Sequence, residues 1–351
     1  MSKVQSTQQY DMQQARFYNE NLTIEQEFPF SMALAVSYAG SRGIHLPGIG
    51  DANPNLPQGI TNGIPFWNPN PAQAVVRTNP NLSAVLFRDS YGDSIYHSLQ
   101  VQVNKRFTNG LQFHSSFTWG RSIDNCVGLA SEATSTILYP SNPYNRRFDR
   151  GPSIFNIPRV WVTDFIYNLP SPRIEARRLA TLTSGWGVTG IFTAQDGLPF
   201  NPVVNGNRSR SGLTGGLTSG IDRPNYNPAF TGSIVTGNPA QWFNPDAFVL
   251  QPVGTLGNVG HDSLVGPGFV EFDFGIHKNT KLGVLGEAGN IEFRVEAFNL
   301  LNHPNLGMPA IATFAGALTD PVTVAPLSAA GQITSTAGTS RQMEFALRIS
   351  F

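Results

Sequence analysis

The sequence predicts an all-β fold, an antiparallel up-and-down meander that forms part of a transmembrane β-barrel with long extracellular loops. Three observations lead to this prediction. Apolar residues recur at every second position in long stretches, which places them on one face of a strand. These stretches reach about ten residues, enough for a tilted strand to cross the hydrocarbon layer of a membrane. The connections between them alternate between short and long, as they do in outer-membrane barrels.

The first four of nine predicted strands form two hairpins. They cover residues 18–28, 30–39, 99–107 and 111–119. The first pair is joined almost directly at Pro29, and the second pair flanks Thr108-Asn109-Gly110. Asn-Gly supplies the positive φ that a tight hairpin requires, so this second hairpin is well defined by its sequence.

The other five strands differ in how clearly they alternate. They cover residues 157–169, 184–195, 269–279, 289–300 and 342–351. The last three alternate well, whereas the two around Trp161 and Trp186 alternate poorly. All nine are longer than the roughly five or six residues of an average globular strand, which favours a membrane barrel.

The connections predict which end of each strand faces the periplasm. The short ones are residue 29 and segments 108–110, 170–183 and 280–288, and the long ones are 40–93, 122–156, 196–268 and 301–341. Short turns belong on the periplasmic side and long loops outside. The last strand then ends in the periplasm and the first begins outside. Because single-chain bacterial barrels have even strand numbers with both ends on one side, further strands upstream are expected.

The alternation also predicts which side chains face the interior. In a barrel the polar row faces a water-filled lumen and the apolar row faces lipid. The polar residues predicted to face the lumen are Gln102, Asn104, Glu292, Arg294, Glu296 and Arg348. The apolar residues predicted to share the convex face are Val101, Val103, Phe113, Phe117, Phe272, Phe274, Phe345 and Leu347. The carboxylates of Glu292 and Glu296 could serve acid/base chemistry instead, but a charge ladder fits a barrel interior better.

The final strand ends in a pattern of its own. Apolar residues at alternate positions, Phe345, Leu347, Ile349 and the terminal Phe351, resemble the signal that outer-membrane proteins present to the barrel-assembly machinery. A strand with one apolar face and an unpaired edge is suited to pairing with another sheet edge. An ordinary C-terminal strand is the alternative.

Composition and motifs exclude several classes of function. Only 13% of the 351 residues are charged, against roughly 25% in a typical soluble domain. The 23 basic and 23 acidic residues balance, so a nucleic-acid partner is not expected. The single Cys126 cannot form an internal disulfide, and the N-terminal segment lacks the apolar core of an export signal. No apolar run approaches the roughly 18 residues of a membrane helix.

No constellation of reactive residues predicts an enzyme, a cofactor or a metal site. The six histidines show no metal-binding spacing, and no phosphate-binding loop or nucleophile elbow occurs. His97 and His114 lie on neighbouring predicted strands, so a shared site is possible, although solvated side chains are the favoured interpretation.

Several segments resemble a known family. Residues 96–125, 185–200, 242–279, 293–309 and 331–351, which include GWGVTGIFTAQDGLPF and FRVEAFNLLNHPNLGMP, closely resemble the C-terminal barrel of Oar-like TonB-dependent transporters of acidobacteria. Residues 25–46 resemble an earlier hairpin of that barrel. The resemblance implies that residues 1–351 form a partial receptor barrel without the plug and carboxypeptidase-regulatory-like domains.

The same resemblance implies an outer-membrane location, with lipid and the barrel-assembly machinery as partners. It further implies uptake of an unidentified small ligand or oligosaccharide, with the TonB system engaged only through a plug missing here. Loop segments 53–80 and 201–258 would contact the ligand.

A secreted or soluble β-sandwich that acts as a binding module is the alternative. It requires that Leu99, Val101, Phe113 and Phe117 be buried against a second sheet.

Overall fold

A single antiparallel meander dominates the computed structural model, which describes residues 5–125, 140–172, 176–212, 222–283, 286 and 289–351. Its strands are β1 (Arg16–Phe28), β2 (Met32–Asp51), β3 (Val85–Thr108), β4 (Leu111–Asp124), β5 (Arg159–Asn168), β6 (Trp186–Gln195), β7 (Phe269–Lys281), β8 (Asn290–Phe298) and β9 (Gln342–Ser350). Strands adjacent in sequence are adjacent in the sheet. The predicted nine-stranded meander is therefore confirmed.

Shorter elements surround this sheet. Gln5–Gln8 pairs in parallel with β3, and Gly151–Pro152 pairs with β4. The remaining short strands are Gly59–Thr61, Ile64–Phe66, Pro199–Phe200, Val203–Val204, Asn225–Tyr226, Val235–Asn238, Gln241–Phe243, Phe248–Val249, Leu264–Val265 and Ala312–Phe314. The helical elements are α1 (Arg177–Thr183) and the 3-10 turns Arg146–Asp149 and Pro245–Ala247. Within the described ranges, none of these helices is long and apolar enough to cross a membrane.

Two tight turns have backbone angles that their sequences only partly foretell. Asn109 and Gly110 adopt φ of 51° and 80°, as the Asn-Gly pair predicts. In the first turn Phe30 and Ser31 adopt φ of 65° and 59°, which non-glycine residues rarely do. For this reason β2 begins at Met32 instead of the predicted residue 30.

The second and third strands extend well beyond their predicted bounds. β2 has 20 residues and β3 has 24, so much of the predicted loop 40–93 is strand. The pairing shifts between Ile44 and Leu46 and again between Leu46 and Gly48, and His45 adopts φ of 56°. An extra residue moves all following side chains to the other face of a strand. The alternation therefore breaks at this point and hides the continuation of the strand from sequence inspection.

The pairing register sorts side chains into two faces across all nine strands. One row runs through Leu22, Tyr38, Leu99 and Trp119, and equivalent rows join Phe192 to Phe272 and Phe293 to Leu347. We call this side the apolar face. The other side, the polar face, carries the alternate residues of each strand. All eight residues predicted to share the convex side lie on the apolar face.

The hydrophobic core lies in the loops and not beneath the sheet. Its buried members are Phe200, Val204, Phe243, Ala247, Phe248, Leu250, Val259, Leu264, Phe314 and Ala330. On the apolar face, by contrast, Leu99 and Phe117 remain 39% and 37% exposed. Among the residues that the structure describes, no second sheet covers them. The sandwich alternative required their burial and is therefore wrong.

Candidate functional site

The long connections fold together into one compact unit at the strand ends opposite the tight turns. We call its described residues, 52–84, 140–158, 196–212, 222–268 and 299–341, the loop cap. Short strands link its segments, since Phe200 pairs with Leu264 and Val203 with Ala312. The loop cap has the core described above, so it is a structured surface at the predicted extracellular end.

Buried Arg208 joins its own segment to two others. Its Nε donates to the Gln251 carbonyl at 2.7 Å and its Nη2 to the Asp320 carbonyl at 2.9 Å, and its Nη1 donates to the Ala317 carbonyl. Each of the three guanidinium nitrogens thus donates to a backbone carbonyl, which compensates in part for the loss of water. The side chain fixes segment 299–341 against segment 196–212.

Arg210 performs the same task for another segment. Its Nη1 donates to the carbonyls of Asn68 and Asn70, each at 2.5 Å, and its Nη2 donates to the Gln73 carbonyl. In return the amide of Asn55 donates to the Arg210 carbonyl at 2.8 Å. Segment 52–84, which includes the predicted ligand loop 53–80, is thereby bound to segment 201–258.

A buried ion pair ties a further segment to the cap. Nη1 of Arg223 lies 2.6 Å from Oδ1 of Asp149, and the two side chains are only 2% and 1% exposed. The guanidinium also donates to Oγ of Ser141 at 3.0 Å and to the Val259 carbonyl at 2.7 Å, and it lies 5.2 Å from the centre of the Phe148 ring. Such a pair is tolerable in a low-dielectric interior only with this degree of hydrogen bonding.

Next to this pair, two buried titratable groups face each other. Nδ1 of His261 lies 3.4 Å from Oδ2 of Asp262, and neither atom has another hydrogen-bond partner among the described residues. Burial raises the pKa of Asp262 to about 7, with Asp124 and Asp149 adding to the shift and Arg223 opposing it. Burial also lowers the pKa of His261 to about 4. At neutral pH the histidine is therefore uncharged.

A cavity opens where β2 and β3 reach the loop cap. It has a volume of about 420 Å³, and its lining includes Phe87, Tyr91 and Tyr144. Two ion pairs stabilise its walls, Arg146 with Asp89 and Arg77 with Asp51 at 2.9 Å. Tyr91 and Tyr144 are 54% and 47% exposed, so their rings are accessible at this cavity.

The register brings the six predicted lumen residues onto the polar face. Arg294 lies 2.8 Å from Glu292 and 3.6 Å from Glu296, so the carboxylates form a charge ladder with a shared cation. Arg348 is directly opposite Glu292. Gln102 and Asn104 lie opposite Ser116 and His114 on β4. That this face lines a lumen stays a prediction.

The other predicted sites have simple surroundings. His97 contacts the hydroxyl of Tyr38 at 2.7 Å on the apolar face, whereas His114 lies 3.3 Å from Asp164 on the polar face. The two histidines therefore cannot share a site. Over the described part of the chain, no group of three potential metal ligands comes together.

The final strand leaves its apolar row in the open. Phe345, Leu347, Ile349 and Phe351 are all exposed, and β9 pairs with β8 along one side. An assembly signal needs this accessibility, but the role itself stays a prediction.

The buried arginines of the loop cap were not foreseen from the sequence. Local sequence gives little signal for them: Arg223 follows Asp222, whereas Arg208 and Arg210 have no acidic residue beside them. Their partners lie up to 142 positions away, which no local pattern encodes.

Comparison with known proteins identifies a matching family and similar solved structures. A family model described as an outer membrane beta barrel domain matches residues 2–344. The outer membrane transporter YddB from Escherichia coli aligns with a TM-score of 0.47 and 9% sequence identity, over 99% of this chain and 34% of the transporter. The chain thus spans about a third of the length of that protein. No curated protein matches the sequence.

Proposed function

Because this chain belongs to the outer membrane beta barrel domain family and is located in the outer membrane, we propose that it is a wall segment of an Oar-like TonB-dependent transporter. One observation carries the proposal. The sheet separates an exposed apolar face from a polar face, and the same strands support a structured loop cap at one end. This is the arrangement of a barrel that contacts lipid, encloses a polar passage and presents a surface to the exterior.

The sheet order supports a wall that is larger than nine strands. β1 and β9 lie at the two ends of the order, and within the described residues neither pairs along its outer side. Unpaired backbone groups are costly in lipid, where no water can satisfy them. Barrel diameter also grows with strand number, so additional strands would provide a passage wide enough for a ligand.

In this proposal the protein binds and admits a ligand and carries out no bond chemistry. The loop cap captures a small ligand or an oligosaccharide, and the polar face lines the route inward. Energy for uptake comes from the TonB system through a plug domain. The two Asp–Arg pairs beside the cavity at the base of the cap leave no unpaired positive charge for a phosphate among its described lining residues. This favours a neutral ligand over a phosphorylated one.

Uptake of labelled neutral oligosaccharides tests this function. Cells with and without the gene are given a panel of fluorescent glucose, xylose and mannose oligomers. We expect gene-dependent accumulation of at least one oligomer and its loss when a protonophore collapses the proton gradient. Accumulation that persists in the protonophore would indicate a passive pore, and accumulation independent of the gene would contradict a transport role.

A further inference from the structure

The short helix α1 lies against the apolar side of the sheet at its tight-turn end. Trp186 on β6 and Lys278 on β7 are directly opposite each other in the register and belong to the apolar face. The indole Nε1 of Trp186 donates to the Leu182 carbonyl at 2.8 Å. Nζ of Lys278 donates to the carbonyls of Thr181 and Ser184 at 2.8 and 2.7 Å. These three bonds fix the helix end on the side of the sheet that carries the exposed apolar rows.

The same bonds compensate the free carbonyl groups at the C-terminal end of the helix. The last carbonyls of a helix have no partner within it and carry a partial negative charge. Lys278 places its ammonium group at this end, 5.3 Å from the centre of the Trp186 ring. Trp186 and Lys278 thus hold the C-terminal end of α1 on the sheet. Both residue types are typical of membrane–water interfaces.

Two leucines of the helix are exposed. Leu179 and Leu182 are three positions apart, which places them on one side of the helix, and they are 54% and 62% exposed. Leu169, where β5 leads toward this connection, is exposed as well. These exposed leucines lie at the tight-turn end, on the side of the sheet that carries the apolar face.

We propose that α1 is an interfacial anchor whose Leu179 and Leu182 insert among the acyl chains of the periplasmic leaflet of the outer membrane. Their position on the side of the sheet that carries the exposed apolar rows identifies phospholipid as the occupant of this surface. A short amphipathic helix held at the rim in this way would lie in the plane of the interface. The inference rests on the membrane orientation in the proposed function, with the tight turns in the periplasm.

Site-directed fluorescence tests this anchor. The single Cys126, which lies outside the described residues, is replaced by serine, and Leu182→Cys is labelled with a small environment-sensitive fluorophore. The transporter is purified with all the strands of its barrel and reconstituted in phosphatidylethanolamine and phosphatidylglycerol vesicles, with or without bromine on the acyl chains. We expect brominated chains to reduce the emission at position 182 at least twofold, most strongly when the bromine is near the headgroup. Aqueous iodide should have little effect.

Two matched labels separate the possible failures. Leu99→Cys on the apolar face should be quenched by brominated chains, and Asn109→Cys in the β3–β4 turn should be quenched by iodide. If position 99 is quenched by lipid but position 182 responds like position 109, the anchor is refuted and the barrel proposal stands. Shielding of position 182 from both quenchers would also refute the anchor, because the helix would then be covered by protein. If position 99 also fails to contact lipid, both proposals are overturned.

Discussion

At the scale of single residues, the buried ion pair between Arg223 and Asp149 stabilises the loop cap. Removing one partner of a buried ion pair leaves the other charge uncompensated, which costs about 3–5 kcal/mol. Exposed pairs contribute about 0–1 kcal/mol. The Arg223–Asp149 pair is buried, whereas the Arg150–Asp93 pair at 2.9 Å is partly exposed.

We therefore expect Arg223→Ala to destabilise the loop cap by about 3–5 kcal/mol. Arg150→Ala is the matched control and should change its stability by less than about 1 kcal/mol. The measurement is the thermal unfolding of the cap followed by near-ultraviolet circular dichroism. Equal effects of the two substitutions would show that the buried pair does not organise the cap.

Three buried groups, Asp262, Asp222 and His261, determine how the stability of the cap depends on pH. The pKa of Asp262 is raised from 3.8 to about 7 and that of Asp222 from 3.8 to about 6, both chiefly by burial. The folded cap therefore holds more protons than the unfolded one, so these groups lower stability as pH rises through those windows. The pKa of His261 is lowered from 6.5 to about 4, which raises stability as pH rises through that window.

Since two carboxyls oppose one histidine, we expect the cap to lose stability as pH rises from about 4 to about 7. In Asp262→Asn, the opposing contributions of Asp222 and His261 remain, and stability should be nearly flat over most of this range. In His261→Gln the loss should be steeper than in the natural protein. Melting temperatures of the three proteins across the range provide the check. An unchanged profile in Asp262→Asn would mean that this carboxyl does not titrate there.

At the scale of elements, the two faces of β9 should respond oppositely to a new charge. Leu347 lies on the apolar face opposite Phe293, and its neighbour Ala346 lies on the polar face opposite Arg294. A carboxylate in contact with lipid is costly, whereas one beside an arginine gains an ion pair.

We expect Leu347→Glu to reduce the amount of folded protein in the outer membrane several-fold and Ala346→Glu to leave it nearly unchanged. The measurement is the heat-modifiable fraction on a gel after outer-membrane extraction. The reverse ranking would mean that Gln102, Asn104, Glu292, Arg294, Glu296 and Arg348 do not face a lumen.

At the scale of the whole molecule, the decisive question is whether β1 and β9 meet. In the sheet order they are separated by seven other strands, a distance of roughly 40 Å along a sheet with strands about 4.8 Å apart. Curvature of the sheet shortens this distance, but β1 and β9 pair only if the nine strands close a barrel.

Cysteine cross-linking in purified outer membranes distinguishes these states. With Cys126→Ser as background, Phe293→Cys with Leu347→Cys should form a disulfide efficiently, because the two residues are directly opposite each other. Leu22→Cys combined with Phe345→Cys or Leu347→Cys should remain reduced in a larger wall. Efficient cross-linking of Leu22→Cys would instead demonstrate a small closed barrel and refute the wall-segment proposal.

The sequence by itself determined the nine strands, their order, the tight Asn109-Gly110 turn and the sorting of side chains between two faces. These properties are local, because a period of two places alternate residues on opposite sides wherever the strand is regular. The sequence did not reveal the features that interrupt the strand pattern, namely the shifted pairing around His45 and the short helix α1.

Only the tertiary structure decided the loop cap, its hydrophobic core and the buried contacts of Arg208, Arg210 and Arg223. Their partners are as far as 142 positions away, and a buried arginine and a solvated one look the same in a sequence. What separates the two is the desolvation of each charge and its compensation by distant carbonyls and carboxylates, which exist only once the long connections have packed together.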